Sequence, residues 1–210
     1  MESIKQNKIS NNHNYHPHYS DRMVHGNSLE IAETMAKEKN LIEQGSHTLL
    51  VYNDLKAFRE IYTQYARALL PQNEIIVIGT QYESINAVKS ILRLVSVDVE
   101  RYLNDGMLFI VDAQEGYQDA DTNGMWKFAI SLLSRAKKEG RQGVTWFGDA
   151  GSFFSFEKIE ELMQYELSLP QKYEDPIKTV CSYHLRDFEK LNEAQKTTLF
   201  GHHFKSIMLD

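Results

Sequence analysis

Between residues 47 and 209 the chain alternates short apolar runs with longer stretches in which apolar residues recur every three or four positions. The runs "HTLLVYN", "EIIVIGT", "MLFIVDA", "GVTWFGD", "IKTVCSY" and "FKSIML" read as strands. They are brief and almost continuously apolar, as strands buried on both faces are. Between them lie "DLKAFREIYTQYARALL" (stopped by Pro71), "YESINAVKSILRLV", the short "VDVERYLNDG", "MWKFAISLLSRAKKEG" (closed by Gly140), "SFEKIEELMQYELSL" and "DFEKLNEAQKTTLF", all helical in spacing. Buried strands separated by helices predict a three-layer α/β domain, with a mostly parallel sheet, helices on both faces and right-handed crossovers. No internal repeat or low-complexity linker interrupts the pattern after residue 46.

Upstream the pattern stops. Residues 1–26 are rich in Asn, His and Ser and hold four of the eight histidines, His13, His16, His18 and His25. A tract with so little apolar surface predicts a disordered tail, with a weak metal-binding tract as the alternative. Residues 27–45 predict a separate helix, capped by Ser28, carrying Leu29, Ala32, Met35 and Ala36 on one face and ended by Gly45. Its thin stripe suits a docking or pairing helix outside the main domain, which spans 46–210.

Composition narrows the function. A chain of 210 residues buries a substantial single core. A net charge of −6 without a basic stripe excludes a general nucleic-acid binder, although recruitment to DNA through a partner stays open. The single cysteine, Cys181, excludes an intrachain disulfide and a CxxC metal site. The absence of a membrane-spanning apolar run or signal-peptide core predicts a cytoplasmic protein with no membrane contact.

In open parallel sheets ligands bind at the carboxyl ends of the strands. Those ends carry Tyr52, Asn53 and Asp54; Gly79, Thr80 and Gln81; Asp112, Glu115 and Tyr117; Gly148, Asp149 and Gly151; and Ser182, Tyr183 and His184. This rim is acidic and aromatic. A phosphate loop requires GxxxxGK[ST], and "YNDLKAF" after the first strand has no glycine; GxGxxG is absent throughout. Ser152 in "GDAGSFF" lies outside GxSxG, and Cys181 reads as a core thiol. Tyr52, Tyr117 and Tyr183 stand where a ring with a polar tip walls a small-molecule pocket. Trp126, Phe128 and Trp146 read as core or half-buried.

From His47 to Leu209 the chain resembles the MEDS family, a sensory domain of methanogens and methylotrophs. The likeness rests on "HTLLVYND", "VDVERYLNDGMLFIVDAQEGY", "GVTWFGDAGSFF", "LMQYELSL", "VCSYHLRDF" and "GHHFKSIML". It implies a RecA/KaiC-like core without a phosphate loop, acting as an archaeal-type regulator that senses small molecules such as hydrocarbon derivatives. It also implies that His47, Asp112, Tyr117, Asp149, Glu166, Tyr183 and one of His202 and His203, with His203 assigned here, are its recurring polar positions. The chain departs from the family at "GDAGSFF", where a Glu at the Asp149 position and a Trp a few residues later are commoner.

The expectation is therefore a non-catalytic sensory domain without cofactor or resident metal. It would bind a small neutral or cationic ligand through His47, Tyr52, Asp112, Tyr117, Asp149, Glu166, Tyr183 and His203. Asp112, Tyr117, Asp149 and Tyr183 are expected to converge on one cavity, and the signal to pass to a protein partner or within a homo-oligomer. One alternative is a metal-assisted or nucleotide hydrolase using Asp112, Asp149 and a C-terminal histidine. Another is a ligand-free interaction protein. Because no lysine-bearing glycine loop follows the first strand, calorimetry with Mg-ATP should show neither tight binding nor hydrolysis. A micromolar dissociation constant would contradict that expectation.

Overall fold

A computed structural model of the protein describes residues 23–27 and 42–209, without the side chains of 117–122. Residues 1–22 of the expected tail, and residues 28–41 of the expected helix over 27–45, lie outside the described residues. Residues 42–45 form a bend and a turn that lead into the sheet.

The strands are β1 (Met23–Gly26), β2 (His47–Tyr52), β3 (Ile75–Thr80), β4 (Leu108–Asp112), β5 (Val144–Asp149), β6 (Ile177–His184) and β7 (Lys205–Leu209). They make one sheet in the order β1-β7-β2-β6-β5-β3-β4, and every pairing is parallel. β1 corrects the tail boundary. Met23–Gly26 belongs to the sheet, pairing with Ser206–Leu209, although nothing in "MVHG" departs from its polar surroundings strongly enough to announce a strand.

Helices cover both faces. α1 (Leu55–Leu69), α2 (Ile85–Leu94) and α3 (Val99–Asn104) lie on one; α4 (Ala113–Lys138), α5 (Gly151–Ser155), α6 (Ile159–Ser168), α7 (Leu185–Phe188) and α8 (Glu193–His202) contribute to the other. The period of two along each strand divides the core. Leu50, Tyr52, Ile76, Ile78, Phe147, Val180 and Ile207 pack under α1 and α2, whereas Leu49, Val51, Ile75, Val77, Val144, Cys181 and Tyr183 face the α4–α8 side. In α1, buried Phe58, Ile61, Tyr62 and Tyr65 fall at i, i+3, i+4 and i+7, the stripe that drives a helix onto a sheet. Full burial of such a side chain contributes about 1.5–3 kcal/mol.

Two helices differ from expectation for local reasons. α4 begins at Ala113, not near Met125, because Asp112 caps it by accepting from the Gln114 and Glu115 amides at 2.9 and 3.1 Å. Gly116 and Gly124 disguise its first turns, each lowering helix propensity by about 1 kcal/mol. The stretch expected as one helix from Ser155 is interrupted: α5 ends there and α6 starts at Ile159, with Glu157 between them in the left-handed region at φ 57°.

β1 contributes a partly buried Val24 to the α1-side core and covers the edge of β7. A chain beginning at Asn27 should melt about 2–4 °C below one beginning at Met23, the shift that about 1 kcal/mol produces at this size. Equal midpoints in thermal unfolding would show that β1 adds nothing.

Candidate functional site

Gly79 and Gly148 are the penultimate residues of neighbouring strands and lie one step beyond the Ile78–Phe147 register. By alternation both belong to the α4 side. With no side chains there, the sheet leaves a cavity of about 230 Å³ beneath its carboxyl ends. Val111, Trp146, Met125, Trp126, Phe128, Ala129 and Phe153 surround it, and both tryptophans of the chain take part. A methyl group added to Gly148 would come within 3.2 Å of the Trp146 indole nitrogen, so the ring covers part of the space beside that glycine and walls the cavity there. Glu166 and Cys181 bring polar atoms to the wall.

Behind that wall lies a buried polar cluster. His47 opens β2, Cys181 lies within β6, Glu166 projects from α6, and His203 follows α8. The His47 Nε2 is 3.2 Å from both Glu166 Oε2 and Cys181 Sγ. The Tyr183 hydroxyl donates to Glu166 Oε1. His203 Nε2 stands 3.3 Å from Glu166 Oε2, without hydrogen-bond alignment, while its Nδ1–H donates to the Leu199 carbonyl at 2.8 Å. Burial alone would raise the Glu166 pKa, but His203 and His47 overcome it and hold the carboxyl well below its usual range. Burial, with His203 nearby, lowers His47 to about 4 against the pull of Glu166. The Cys181 thiol is pushed up by burial and by Glu166. At neutral pH the cluster therefore holds a carboxylate beside a neutral His47 and a thiol.

A second site lies on the α1 face of the carboxyl edge. Asp149 accepts from the Tyr52 hydroxyl at 2.9 Å and from the Gly151 amide at 2.9 Å, and its Oδ2 is 3.4 Å from the Gln81 amide nitrogen. Burial raises Asp149 to about 6 despite these donors, and Asp187 adds to the rise. Tyr52, stacked on Phe58 at 4.8 Å, is raised by burial and then by Asp149. Asp54 caps α1 through the Ala57 amide at 2.8 Å. A capped helix start beside a buried tyrosine–carboxyl pair thus follows the first core strand, where a nucleotide-binding relative would need its phosphate loop.

The expected convergence of Asp112, Tyr117, Asp149 and Tyr183 does not occur as drawn. Asp112 spends its carboxylate on the α4 cap, Asp149 pairs with Tyr52 on one face, and Tyr183 reaches Glu166 on the other. The error came from treating residues at one strand end as neighbours without regard to which face each occupies. The backbone of Tyr117 belongs to α4, but its side chain lies outside the described residues. His47, Glu166, Tyr183 and His203, grouped by the family resemblance, do come together; His202 instead donates to the Leu169 carbonyl at 2.7 Å. Of the eight expected ligand residues, Asp149 and Glu166 line the cavity among those described. The hydrolase trio does not assemble, because Asp149 and His203 belong to opposite faces and Asp112 is a cap. Sequence reasoning missed the glycine pair, whose signal was an isolated glycine near the end of each of two apolar strands.

Fold and site together define a three-layer, RecA-like α/β domain in which the phosphate loop is missing and a mainly apolar cavity lies beneath the strand ends. The chain belongs to the MEDS family: the model of the MEthanogen/methylotroph, DcmR Sensory domain matches residues 46–197. Among solved structures it is similar to an uncharacterized protein, PH0321, from Pyrococcus horikoshii in complex with an unknown peptide. That match has 17% identity and a TM-score of 0.53 and covers 79% of this chain and 80% of that one. The flagellar accessory protein FlaH from Methanocaldococcus jannaschii matches at 10% identity and a TM-score of 0.46, over 79% of this chain and 71% of that one. No curated protein sequence matches. No helix among the described residues is long and apolar enough to cross a membrane.

The raised Asp149 pKa makes a signed prediction. A carboxyl whose folded pKa lies above its unfolded value of 3.8 contributes stability below that value and loses it as pH rises through about 6. Asp149→Asn removes this titration. Its stability relative to the unmodified chain should rise by about 2.5 kcal/mol between pH 4 and pH 8 in denaturant unfolding. A difference independent of pH would contradict the assignment.

Proposed function

We propose that this sensory domain binds a small, neutral, largely apolar organic molecule in the cavity beside Gly79 and Gly148, and passes the change to a protein partner or a second copy through α4. The observation that carries the reading is a cavity of about 230 Å³ with an almost wholly apolar wall that includes two tryptophans. Pockets for drug-sized ligands measure roughly 300–1,000 Å³, so this one suits a smaller molecule. An apolar lining disfavours an anion or a strongly hydrated cation, which would lose water without replacing its hydrogen bonds. The acidic groups at the strand ends, which suggested a cationic option, are otherwise engaged: Asp112 caps α4, and Asp149, although it borders the cavity, accepts from the Tyr52 hydroxyl and the Gly151 amide. α4 is suited to carry the output, because Phe128 lines the cavity while remaining 36% exposed and Ile130 beside it is 42% exposed. Movement of α4 on filling would alter the surface a partner meets.

Benzene serves as the probe. Titration into the full chain should give a saturable change in tryptophan fluorescence, since both indoles border the cavity, together with a higher melting temperature. Ala129→Leu adds three carbons to the cavity wall from within α4 and should weaken binding by about tenfold or more, about 1.4 kcal/mol. A response that never saturates, or one unchanged by Ala129→Leu, would remove the cavity from the account.

A further inference from the structure

Four side chains of three chemistries meet in the buried cluster: the imidazoles of His47 and His203, the carboxylate of Glu166 and the thiol of Cys181. One donor atom from each lies within 4.8 Å of the others, and all four residues are buried. They come from four separate parts of the chain, namely β2, α6, β6 and the turn after α8. Among the described residues the ion-pair partners of Glu166 are the two histidines, and no Lys or Arg joins them.

His203 supplies an independent observation. Its Nδ1–H is committed to the Leu199 carbonyl, which leaves Nε2 facing Glu166 Oε2 at 3.3 Å. That nitrogen is fully buried and has no hydrogen-bond partner. An imidazole lone pair and a carboxylate oxygen at this distance repel unless a positive charge lies between them. A proton on His203 supplies that charge; so does a metal ion.

The remaining features favour the ion. A ring nitrogen whose opposite N–H is anchored on a backbone carbonyl has the orientation and tautomer of a metal-ligating histidine. Tyr183, donating to Glu166 Oε1, fixes the carboxylate so that Oε2 points at the two rings. Metal-ligating carboxylates are held in this way by a hydrogen bond to the oxygen that faces away from the ion. Tetrahedral coordination with bonds of about 2.0–2.3 Å sets donor separations of roughly 3.3–3.8 Å, so movements of about an ångström would close the shell. Two nitrogens, an oxygen and a sulfur suit zinc and its neighbours, and exclude magnesium and calcium, which take oxygen ligands.

We propose that His47, Glu166, Cys181 and His203 form a binding site for one divalent transition-metal ion of the zinc class. The site stands whether or not the cavity holds the sensory ligand. Because Glu166 and Cys181 also border the cavity, the ion would sit at its inner wall.

Cobalt is the probe, since its thiolate and four-coordinate complexes have distinct absorption. The full chain, freed of metal by chelation, should take up one equivalent of Co2+ in this site. A near-ultraviolet thiolate-to-cobalt band and strong visible bands should appear, and Zn2+ should displace both. The chain has one cysteine, so the thiolate band in the unmodified protein identifies Cys181 without any variant having to fold. Cys181→Ser should abolish that band, and His203→Gln should weaken cobalt binding by about tenfold or more. Saturating Co2+ without a thiolate band would overturn the proposal, whether nothing binds or the histidines of the N-terminal tract do. A band left intact by His203→Gln at unchanged affinity would overturn the four-residue site.

Discussion

A sheet covered on both faces can keep an interior space only where side chains are missing, and here Gly79 and Gly148 provide that absence side by side. The rest of the α4 side follows from it. Trp146, two residues before Gly148, covers part of the gap, and α4 lays Met125, Trp126, Phe128 and Ala129 across the remainder. Elsewhere the same strands carry Ile75, Val77 and Val144 against Leu132, Leu133 and Ala136, and the core there is closed. The transition from packed layer to cavity therefore occurs along single strands within one or two residues.

The second constraint is a buried charge. An ionised carboxylate in an apolar interior is expensive unless donors or a cation compensate it. Glu166 sits in the α6 layer with Tyr183, His47 and His203 around it, and these contacts tie α6 to β2, β6 and the segment entering β7. Helices on that face are fixed by a polar centre as well as by apolar area. The opposite face uses a different arrangement: Lys178 meets both oxygens of Glu74 at 2.8 Å at the amino end of the sheet, and Tyr52 meets Asp149 at the carboxyl end. Polar groups in this fold are thus concentrated at a few buried points, with apolar layers between them.

The architecture was largely legible because its signals are local. Apolar runs such as "EIIVIGT" and "GVTWFGD" announce buried strands, and the three-to-four-residue spacing of "DLKAFREIYTQYARALL" announces a helix. β1 was not legible: four residues of a polar tract become a strand only because β7 offers an unpaired edge. The first half of α4 was hidden by Gly116 and Gly124. The site was harder still. His47 and Glu166 are separated by 119 residues, and neither sits in a motif whose spacing encodes the contact. Strand-end reasoning pointed to the carboxyl edge, beneath which the cavity lies, but merged its two faces, placing Asp112, Asp149 and Tyr183 in one pocket. Alternation along β5 and β6 separates Asp149 from Tyr183, and that rule was available from the sequence.

The central claim is that the space beside the glycine pair is a real, ligand-accessible cavity. Apolar cavities of roughly 150 Å³ take up xenon or benzene and otherwise stay dry. A crystal of the protein pressurised with xenon tests the claim directly, because xenon scatters strongly and needs no specific chemistry. The account predicts xenon between Gly79, Gly148 and α4, within reach of Trp126 and Trp146. A Trp ring or the first turns of α4 collapsed into that space, with xenon bound elsewhere or not at all, would contradict it.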